Sequence, residues 1–291
     1  MSPDPSPNTP ADGSAAVEVL SPAVRVSPVV FASPHSGSDY SKGFLEGAAL
    51  PLKVLRRSED AHIDVLFGTV PELGAPLVRA LFPRSYVDPN RAEYELDPIL
   101  FGPRVHALSG QISQRASAGL GVIPRLAGEG SAIYEAMLPL DEAFERLASC
   151  YRPYHAALAG ELAAARDQFG QCILIDCHSM PAASARGADI VLGDRFGSSC
   201  SPELTGHAER IFRSLGFKVV RNRPYAGGFA TERYGQPAES SHALQIEISR
   251  ALYMDERTLE PHQGFAQLKT RLERFAAALL DAYRTQSLAA E

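Results

Sequence analysis

Short apolar runs alternate with longer helical stretches along most of the chain, and this alternation limits the fold more than any other feature. Six runs predict β-strands, at 28–33, 75–82, 171–176, 189–193, 217–220 and 244–248. Helices are predicted at 134–168, 201–215 and 261–287, with a kink or break in the first of them at Pro153. Because strands that alternate with helices form layered folds, the sequence predicts an α/β protein with a mixed central sheet flanked by helices.

The amino terminus differs from this pattern. Four of the first ten residues are proline, and small polar residues follow them. Such a stretch buries too little apolar surface to order itself, so residues 1–16 are predicted to be a disordered tail. Residues 17–291 are predicted to form one domain. Its segment 101–130, rich in Gly, Ser and Arg, is expected to be a long loop or insertion.

The charge and composition exclude several classes of protein. The 291 residues carry 28 Lys and Arg against 34 Asp and Glu, a net charge of −6, so no basic field attracts nucleic acid. No apolar run reaches the length of a membrane span, and the amino terminus lacks the features of a secretory signal. The four cysteines form no C-x-x-C pair and are expected to be reduced and buried, which favours the cytoplasm. The oligomeric state is left open.

Two of the predicted strands lead into similar segments. The run 28–33 is followed by PHSG, which contains His35, and the run 171–176 by CHS, which contains His178. In open α/β sheets, ligands bind at the carboxyl ends of strands. An acidic segment, SEDAH at 58–62, supplies carboxylates and a further histidine. Two histidines and one carboxylate are the usual protein ligands of a catalytic zinc ion. The alternative is that each histidine is an ordinary core or loop residue.

Glu247 is an unusual carboxylate because it lies inside a strand-like run, QIEI. Side chains alternate along a strand, so Ile246 and Ile248 face the opposite side. A glutamate on a sheet face is costly unless it is paired or solvated. Glu247 is therefore a candidate general base beside a metal-activated water. An edge strand with one wet face is the alternative.

Two further segments are candidates for binding the substrate. Arg84, Asn90 and Arg91 lie in RSYVDPNR, where arginine and amide groups could hold an anionic ligand, although DPN is also ordinary turn chemistry. The stretch 222–235 carries three glycines and two tyrosines and is a candidate substrate-covering loop, with Thr231 and Tyr234 as contacts. A plain surface loop is the alternative there.

Several catalytic signatures are absent from the sequence. There is no G-x-S-x-G, no Walker A motif, no H-E-x-x-H and no complete dinucleotide fingerprint. Hydride transfer and nucleotide-driven chemistry are therefore disfavoured.

Taken together, the motifs resemble the N-formylglutamate amidohydrolase family. The matching segments are PHSG at 34–37, ED-x-H at 59–62, VDPNR at 87–91, RPYH at 152–155, DCHS at 176–179, GG-x-x-T-x-x-YGQP at 227–237, Q-x-E at 245–247 and YMDE at 253–256. The resemblance implies a phosphorylase/hydrolase-like fold similar to zinc carboxypeptidases and aspartoacylases, with one Zn²⁺. It also implies a metal-dependent amidohydrolase that acts on a linear amide. Its substrate would be a small anionic N-acyl amino acid, such as N-formyl-L-glutamate in histidine degradation, which yields formate and L-glutamate.

The resemblance also implies roles for particular residues. His35 and His178 resemble the histidine ligands of the metal and Asp60 the carboxylate ligand, with Glu59 and His62 as alternatives for the third position. Glu247 resembles the general base. Asn90 and Arg91 resemble the pair that binds the substrate carboxylate, and Arg84 would polarise the scissile carbonyl.

The segment 114–125 does not resemble the corresponding part of the deformylases of histidine degradation, so the identity of the acyl group is left open. A carboxypeptidase-like metallopeptidase, or another N-acyl-amino-acid hydrolase, is a first alternative. A catalytically silent metal-binding module is a second.

Overall fold

A computed structural model describes residues 15–106, 113–127 and 130–284. These residues group into two compact units. The smaller unit contains 15–18, 37–59 and 80–157, and the larger unit contains 19–36, 60–79 and 158–284. The predicted tail lies outside the described residues except for its last two. Of these, Ala16 is buried and its carbonyl accepts a hydrogen bond from Leu81 N at 3.0 Å, so the ordered chain includes it.

The strands form one large sheet and one small ribbon. They are β1 Val17–Leu20, β2 Val29–Ser33, β3 Leu77–Ala80, β4 Leu126–Ala127, β5 Ser131–Ala132, β6 Cys172–Met180, β7 Ile190–Gly193, β8 Val219–Arg221 and β9 Ser241–Ser249. The seven-stranded sheet lies almost entirely in the larger unit and has the order β1-β3-β2-β6-β9-β7-β8. Strands β4 and β5 form an antiparallel ribbon in the smaller unit.

The sheet is mixed, as predicted. Strand β2 pairs in parallel with β3 and β6, β6 with β9, and β7 with β8, whereas β7 and β9 are antiparallel. All six predicted strands are present in this sheet, whereas β1 and the two ribbon strands, β4 and β5, were not predicted. Strand β9 lies between β6 and β7, so Glu247 is in a central strand, and the edge-strand alternative is wrong.

Eleven α-helices lie wholly within the described residues. They are α1 Lys42–Gly47, α2 Leu52–Leu55, α3 Ile63–Leu66, α4 Pro98–Phe101, α5 Gln114–Ser117, α6 Leu140–Arg146, α7 Arg152–Phe169, α8 Ala182–Ala185, α9 Pro202–Ser214, α10 Phe229–Tyr234 and α11 Gly264–Ala282. Helix α9 begins as its sequence predicts, because the Ser201 hydroxyl caps Leu204 N and proline occupies the first turn.

Two helix predictions need correction. The helix expected over 134–168 begins only at Leu140 and changes to a π-helical segment, Leu147–Tyr151, just before Pro153. Proline lacks the amide hydrogen that would continue the α-helical pattern there, which explains the local widening. The last helix begins at Gly264 rather than Pro261, and residues 285–287 lie outside the described residues.

Strand alternation decides which side chains of β6 and β9 enter the core. Ile175, Cys177, Leu244, Ile246 and Ile248 are fully buried in the main apolar cluster. Helices α9 and α11 pack into the same cluster, where the rings of Phe212 and Phe275 stack with centroids 3.8 Å apart. Because successive side chains point to opposite faces, the residues between these apolar positions face away from the cluster. Those residues are polar, and they form the candidate site.

No helix in the described part of the chain combines the length and the apolar character that a membrane span requires.

Candidate metal centre

Four polar residues on strands β6 and β9 form the base of the site. In the parallel register, Asp176 lies beside Gln245 and His178 beside Glu247. All four side chains are buried. The prediction that His178 follows the end of its strand is wrong, because β6 continues to Met180. It pairs residue by residue with β9 over its full length, and this ladder holds the histidine rigidly.

Two loops of the larger unit bring His35 and Asp60 to this polar face. His35 is the second residue after β2, and its carbonyl accepts a hydrogen bond from Asp60 N at 2.9 Å. Asp60 Oδ2 lies 3.3 Å from His35 Nδ1 and 3.0 Å from His178 Nδ1. The ligand atoms of the three residues all lie within 4.8 Å of one another, and each side chain is buried.

The other oxygen of Asp60 has partners that the sequence analysis missed. Asp60 Oδ1 accepts hydrogen bonds from Ser179 Oγ at 3.2 Å and from Arg250 Nη2 at 3.1 Å. Arg250 Nε also donates to Ser179 Oγ at 3.0 Å. Ser179 follows His178, and Arg250 directly follows the strand that carries Glu247. The sequence marked Arg250 only as an arginine directly after a strand that carries an acid, and it gave no indication of its partner.

The second ring nitrogen of His178 is close to Asp176. His178 Nε2 lies 2.9 Å from Asp176 Oδ2, so the ring is flanked by a carboxylate at each nitrogen. Glu247 lies next to His178 across the register, and its Oε1 accepts a hydrogen bond from Gln245 Nε2 at 2.8 Å.

The charges of these groups depend on one another. Burial alone would lower the pKa of His178, but the carboxylates of Asp176, Asp60 and Glu247 outweigh it and hold the pKa well above its usual range. Burial alone would raise the pKa of Asp60, but the hydrogen bond with His178 and the nearby ring of His35 keep it well below its usual range. The site therefore retains a charged carboxylate in a buried position.

The donor set suits a divalent metal ion. In a tetrahedral zinc site with bonds of about 2.0–2.1 Å, the ligand atoms are about 3.3 Å apart, and the separations from Asp60 Oδ2 are 3.0 and 3.3 Å. Asp176 Oδ2 lies 2.9 Å from the remaining nitrogen of His178, close enough for a carboxylate that orients a metal-binding histidine. His35, Asp60 and His178 could therefore bind a metal ion.

Glu59 and His62, the alternatives for the third ligand, have other neighbours. In the smaller unit, Glu59 accepts hydrogen bonds from Tyr40 Oη at 2.9 Å and Arg56 Nε at 3.1 Å. His62 has a left-handed backbone with φ of 67°, and its Nε2 lies 2.8 Å from Leu259 O. Among the described residues, only Asp60 of these three belongs to the group with His35 and His178.

The glycine-rich segment 222–235 lies against strand β7. A Cβ on Gly193 would come within 2.7 Å of the backbone of Ala226 and Gly227, so only glycine permits this approach. The Thr231 hydroxyl is buried and donates to Gly228 O at 2.8 Å. Burial raises the pKa of Tyr234 to about 12, with a further contribution from the charge of Asp176. The roles predicted for Thr231 and Tyr234 in binding substrate stay predictions.

The smaller unit contains Arg84, Asn90 and Arg91. Arg84 Nη2 lies 2.8 Å from Asp88 Oδ2, and Asn90 N donates to Asp88 Oδ1 at 2.8 Å, which is the turn chemistry of the DPN sequence. Arg91 donates from Nε to Leu120 O at 3.0 Å and from Nη1 to Asn90 O at 2.7 Å. Their predicted roles in binding and polarising the substrate stay predictions.

Two aromatic side chains for which no role was predicted, Tyr151 and the His155 of the RPYH segment, hold this turn in place. Tyr151 Oη donates to Arg91 O at 2.8 Å, and His155 Nε2 lies 3.0 Å from Pro89 O. Tyr151 ends the π-helical segment and His155 lies in the first turn of α7. The irregular helix therefore supports the backbone of the VDPNR segment.

The fold and the buried group define the class of protein: a mixed α/β protein with a candidate metal centre formed by one central strand and two loops. The sequence profile of the N-formylglutamate amidohydrolase family matches residues 27–254. An N-formylglutamate deformylase of Pseudomonas aeruginosa is 32% identical over 248 residues, 82% of this chain and 87% of that protein. One of Pseudomonas putida is 30% identical over 237 residues, 79% and 82% of the two chains.

A solved structure agrees with this match. The crystal structure of N-formylglutamate amidohydrolase from Ralstonia eutropha JMP134 has a TM-score of 0.86 and 35% sequence identity, and the match covers 92% of this chain and 98% of that chain. The chain therefore belongs to the N-formylglutamate amidohydrolase family, as its motifs predicted.

Proposed function

We propose that this protein hydrolyses the amide bond of N-formyl-L-glutamate to give formate and L-glutamate, in histidine degradation. The observation that carries the proposal is the buried His35–Asp60–His178 group, with Glu247 beside it on the same polar face. The names of the Pseudomonas and Ralstonia relatives support the substrate.

We propose zinc as the metal, held by His35, Asp60 and His178. Imidazole nitrogen and carboxylate oxygen are typical zinc donors, and three protein ligands leave a position open. When bound, the ion would polarise the scissile carbonyl and make a neighbouring water more acidic. Asp176 would hold the His178 ring through Nε2 and fix which nitrogen faces the metal.

Glu247 would act as the general base. Its carboxylate would accept a proton from the attacking water and deliver that proton to the leaving amine nitrogen. Gln245 Nε2 donates to Glu247 Oε1, which restrains the rotation of the carboxylate while the proton moves. This role distinguishes an enzyme from the alternative of a silent metal-binding module.

The first experiment is a formate assay on the purified protein. Formate release from N-formyl-L-glutamate should fall to background after chelation and return when zinc is added, because the carbonyl would lose its Lewis acid. A parallel reaction with zinc-loaded protein and N-acetyl-L-glutamate or a peptide tests the alternative substrates. Peptide cleavage without formate release would favour the metallopeptidase. A zinc-loaded protein inactive on every acyl amino acid would favour the silent module.

Substrate binding is assigned to Asn90, Arg91, Thr231 and Tyr234, and carbonyl polarisation to Arg84, on the resemblance of their segments. Burial lowers the pKa of Arg91, and the charge of Asp88 opposes that shift.

Arg91→Met should lower kcat/KM for N-formyl-L-glutamate by about 10- to 100-fold, mainly through KM, because hydrogen bonds to charged groups contribute about 1.5–3 kcal/mol. Steady-state formate kinetics measure the effect, with Arg57→Met as an exposed control in the same unit. Repeating the assay with each substrate carboxylate blocked as an amide identifies the contact. On the amide form that lacks the carboxylate bound by Arg91, the variant and the wild type should have the same kcat/KM. Equal losses on every form would contradict the assignment.

The four cysteines are buried and form no disulfide, which is consistent with the cytoplasmic location that we propose.

A further inference from the structure

The two oxygens of Asp60 have different surroundings. Oδ2 faces the Nδ1 atoms of His35 and His178. Oδ1 instead accepts hydrogen bonds from Ser179 and Arg250, which are also bonded to each other. Asp60, Ser179 and Arg250 therefore form a closed triangle of hydrogen bonds in a buried position.

We propose that Arg250 and Ser179 are positioning residues that occupy Asp60 Oδ1, so that Asp60 offers only Oδ2 to the metal. This inference rests on the metal centre of the proposed function. A carboxylate with both oxygens available can bind a metal through both of them. With one oxygen occupied, the metal keeps a position for water or substrate, as catalytic zinc sites require.

Regular secondary structure fixes the backbone positions of Ser179 and Arg250. Ser179 lies within β6, and Arg250 opens a short 3-10 turn, Arg250–Leu252, directly after β9. Strands β6 and β9 are paired through Met180 and Ser249, the neighbours of these two residues. The guanidinium can therefore donate from Nε to Ser179 and from Nη2 to Asp60 at the same time. A lysine has no such pair of planar donors.

A purely structural role would give Arg250 a different signature. A buried arginine that only compensates the charge of Asp60 would change stability when it is removed, without changing how the metal is coordinated. The geometry of coordination is therefore the decisive readout. Cobalt(II) reports it, because its visible absorption weakens when the number of ligands rises above four.

The experiment compares Arg250→Met, Ser179→Ala and Arg250→Lys with the wild type. Zinc affinity is measured by chelator competition, and coordination by visible absorption of the cobalt-loaded proteins. Arg250→Met should bind zinc about 10- to 100-fold more weakly, the usual cost of losing a group that orients a ligand, and should show weaker cobalt absorption. Ser179→Ala should change both readouts in the same direction, and Arg250→Lys should recover part of the loss.

Arg25→Met is the matched control. Arg25 is a half-buried arginine that pairs with Glu161 and donates from Nη1 to Glu161 O at 2.8 Å, and it precedes β2 at the opposite end of the strand from His35. The control should keep the zinc affinity and the cobalt spectrum of the wild type, even if its melting temperature falls.

The outcomes separate the inference from the proposed function. Folded Arg250→Met and Ser179→Ala proteins with wild-type affinity and spectrum would overturn the inference alone. If Arg250→Met does not fold, Ser179→Ala decides, because it removes one donor to Asp60 Oδ1 without removing a charge. A wild-type protein that binds neither zinc nor cobalt would overturn the metal centre itself. The predicted spectral changes in a protein that releases no formate would support the inference and overturn the substrate.

Discussion

Glu247→Gln should lower kcat for formate release by about 10²- to 10⁴-fold and leave the zinc content unchanged. The loss is that expected when a general base is removed, because an amide cannot accept the proton of the attacking water. Glutamine has nearly the same shape as glutamate, so the packing of β9 should be conserved. Glu247 is outside the three-residue group of possible ligands found among the described residues, so zinc binding should not depend on it.

The prediction needs both an activity and a metal measurement. Formate kinetics and elemental analysis on the same preparation separate loss of the base from loss of the metal. Glu209→Gln is the control, since Glu209 lies on α9 and pairs with Arg213 and Arg221 at the surface. Turnover close to wild type would exclude Glu247 as the base. Loss of zinc together with activity would instead make Glu247 a ligand.

The motifs of the strands made much of the site predictable. The run QIEI predicted a glutamate opposite an apolar face, and Ile246 and Ile248 do lie in the core. The α/β alternation predicted the mixed sheet, because apolar periodicity depends only on local sequence. Apolar periodicity defines the ends of strands less well than their centres. Strand β6 continues four residues beyond Asp176, where the sequence predicted its end.

Contacts between distant segments could not be read from the sequence. Arg250 and Asp60 are separated by 190 positions, and nothing in either segment indicates that they pair. Only the order of the strands in the sheet, with β2, β6 and β9 adjacent, brings these segments together. The resemblance favoured Asp60 over Glu59 and His62 as the third ligand, but the sequence alone could not show which of these side chains lies beside His35 and His178. The left-handed backbone at His62 is one reason why its ring points elsewhere.

Substitutions at His178, Asp176 and His62 should affect zinc binding to three different degrees. His178→Ala should abolish zinc binding and reduce formate release to background, because two protein ligands would remain of three. Asp176→Asn should keep all three ligands and weaken zinc binding by about 10- to 100-fold, because an amide orients the His178 ring less firmly. His62→Asn should retain wild-type zinc affinity, and asparagine tolerates the left-handed backbone at that position.

His178 lies among charged groups, so its substitution should change both the zinc affinity and the stability of the metal-free protein. In the metal-free protein, the ring of His178 lies 3.0 Å from Asp60 Oδ2 and 2.9 Å from Asp176 Oδ2, and these carboxylates hold its pKa well above the usual range. His178→Ala leaves both buried carboxylates without this partner, so the metal-free variant should also melt at a lower temperature, whereas His207→Ala on α9 should not. Zinc titrations and thermal melts measure both effects. Wild-type zinc binding by a folded His178→Ala protein would show that the metal, and with it the reaction, must be held elsewhere.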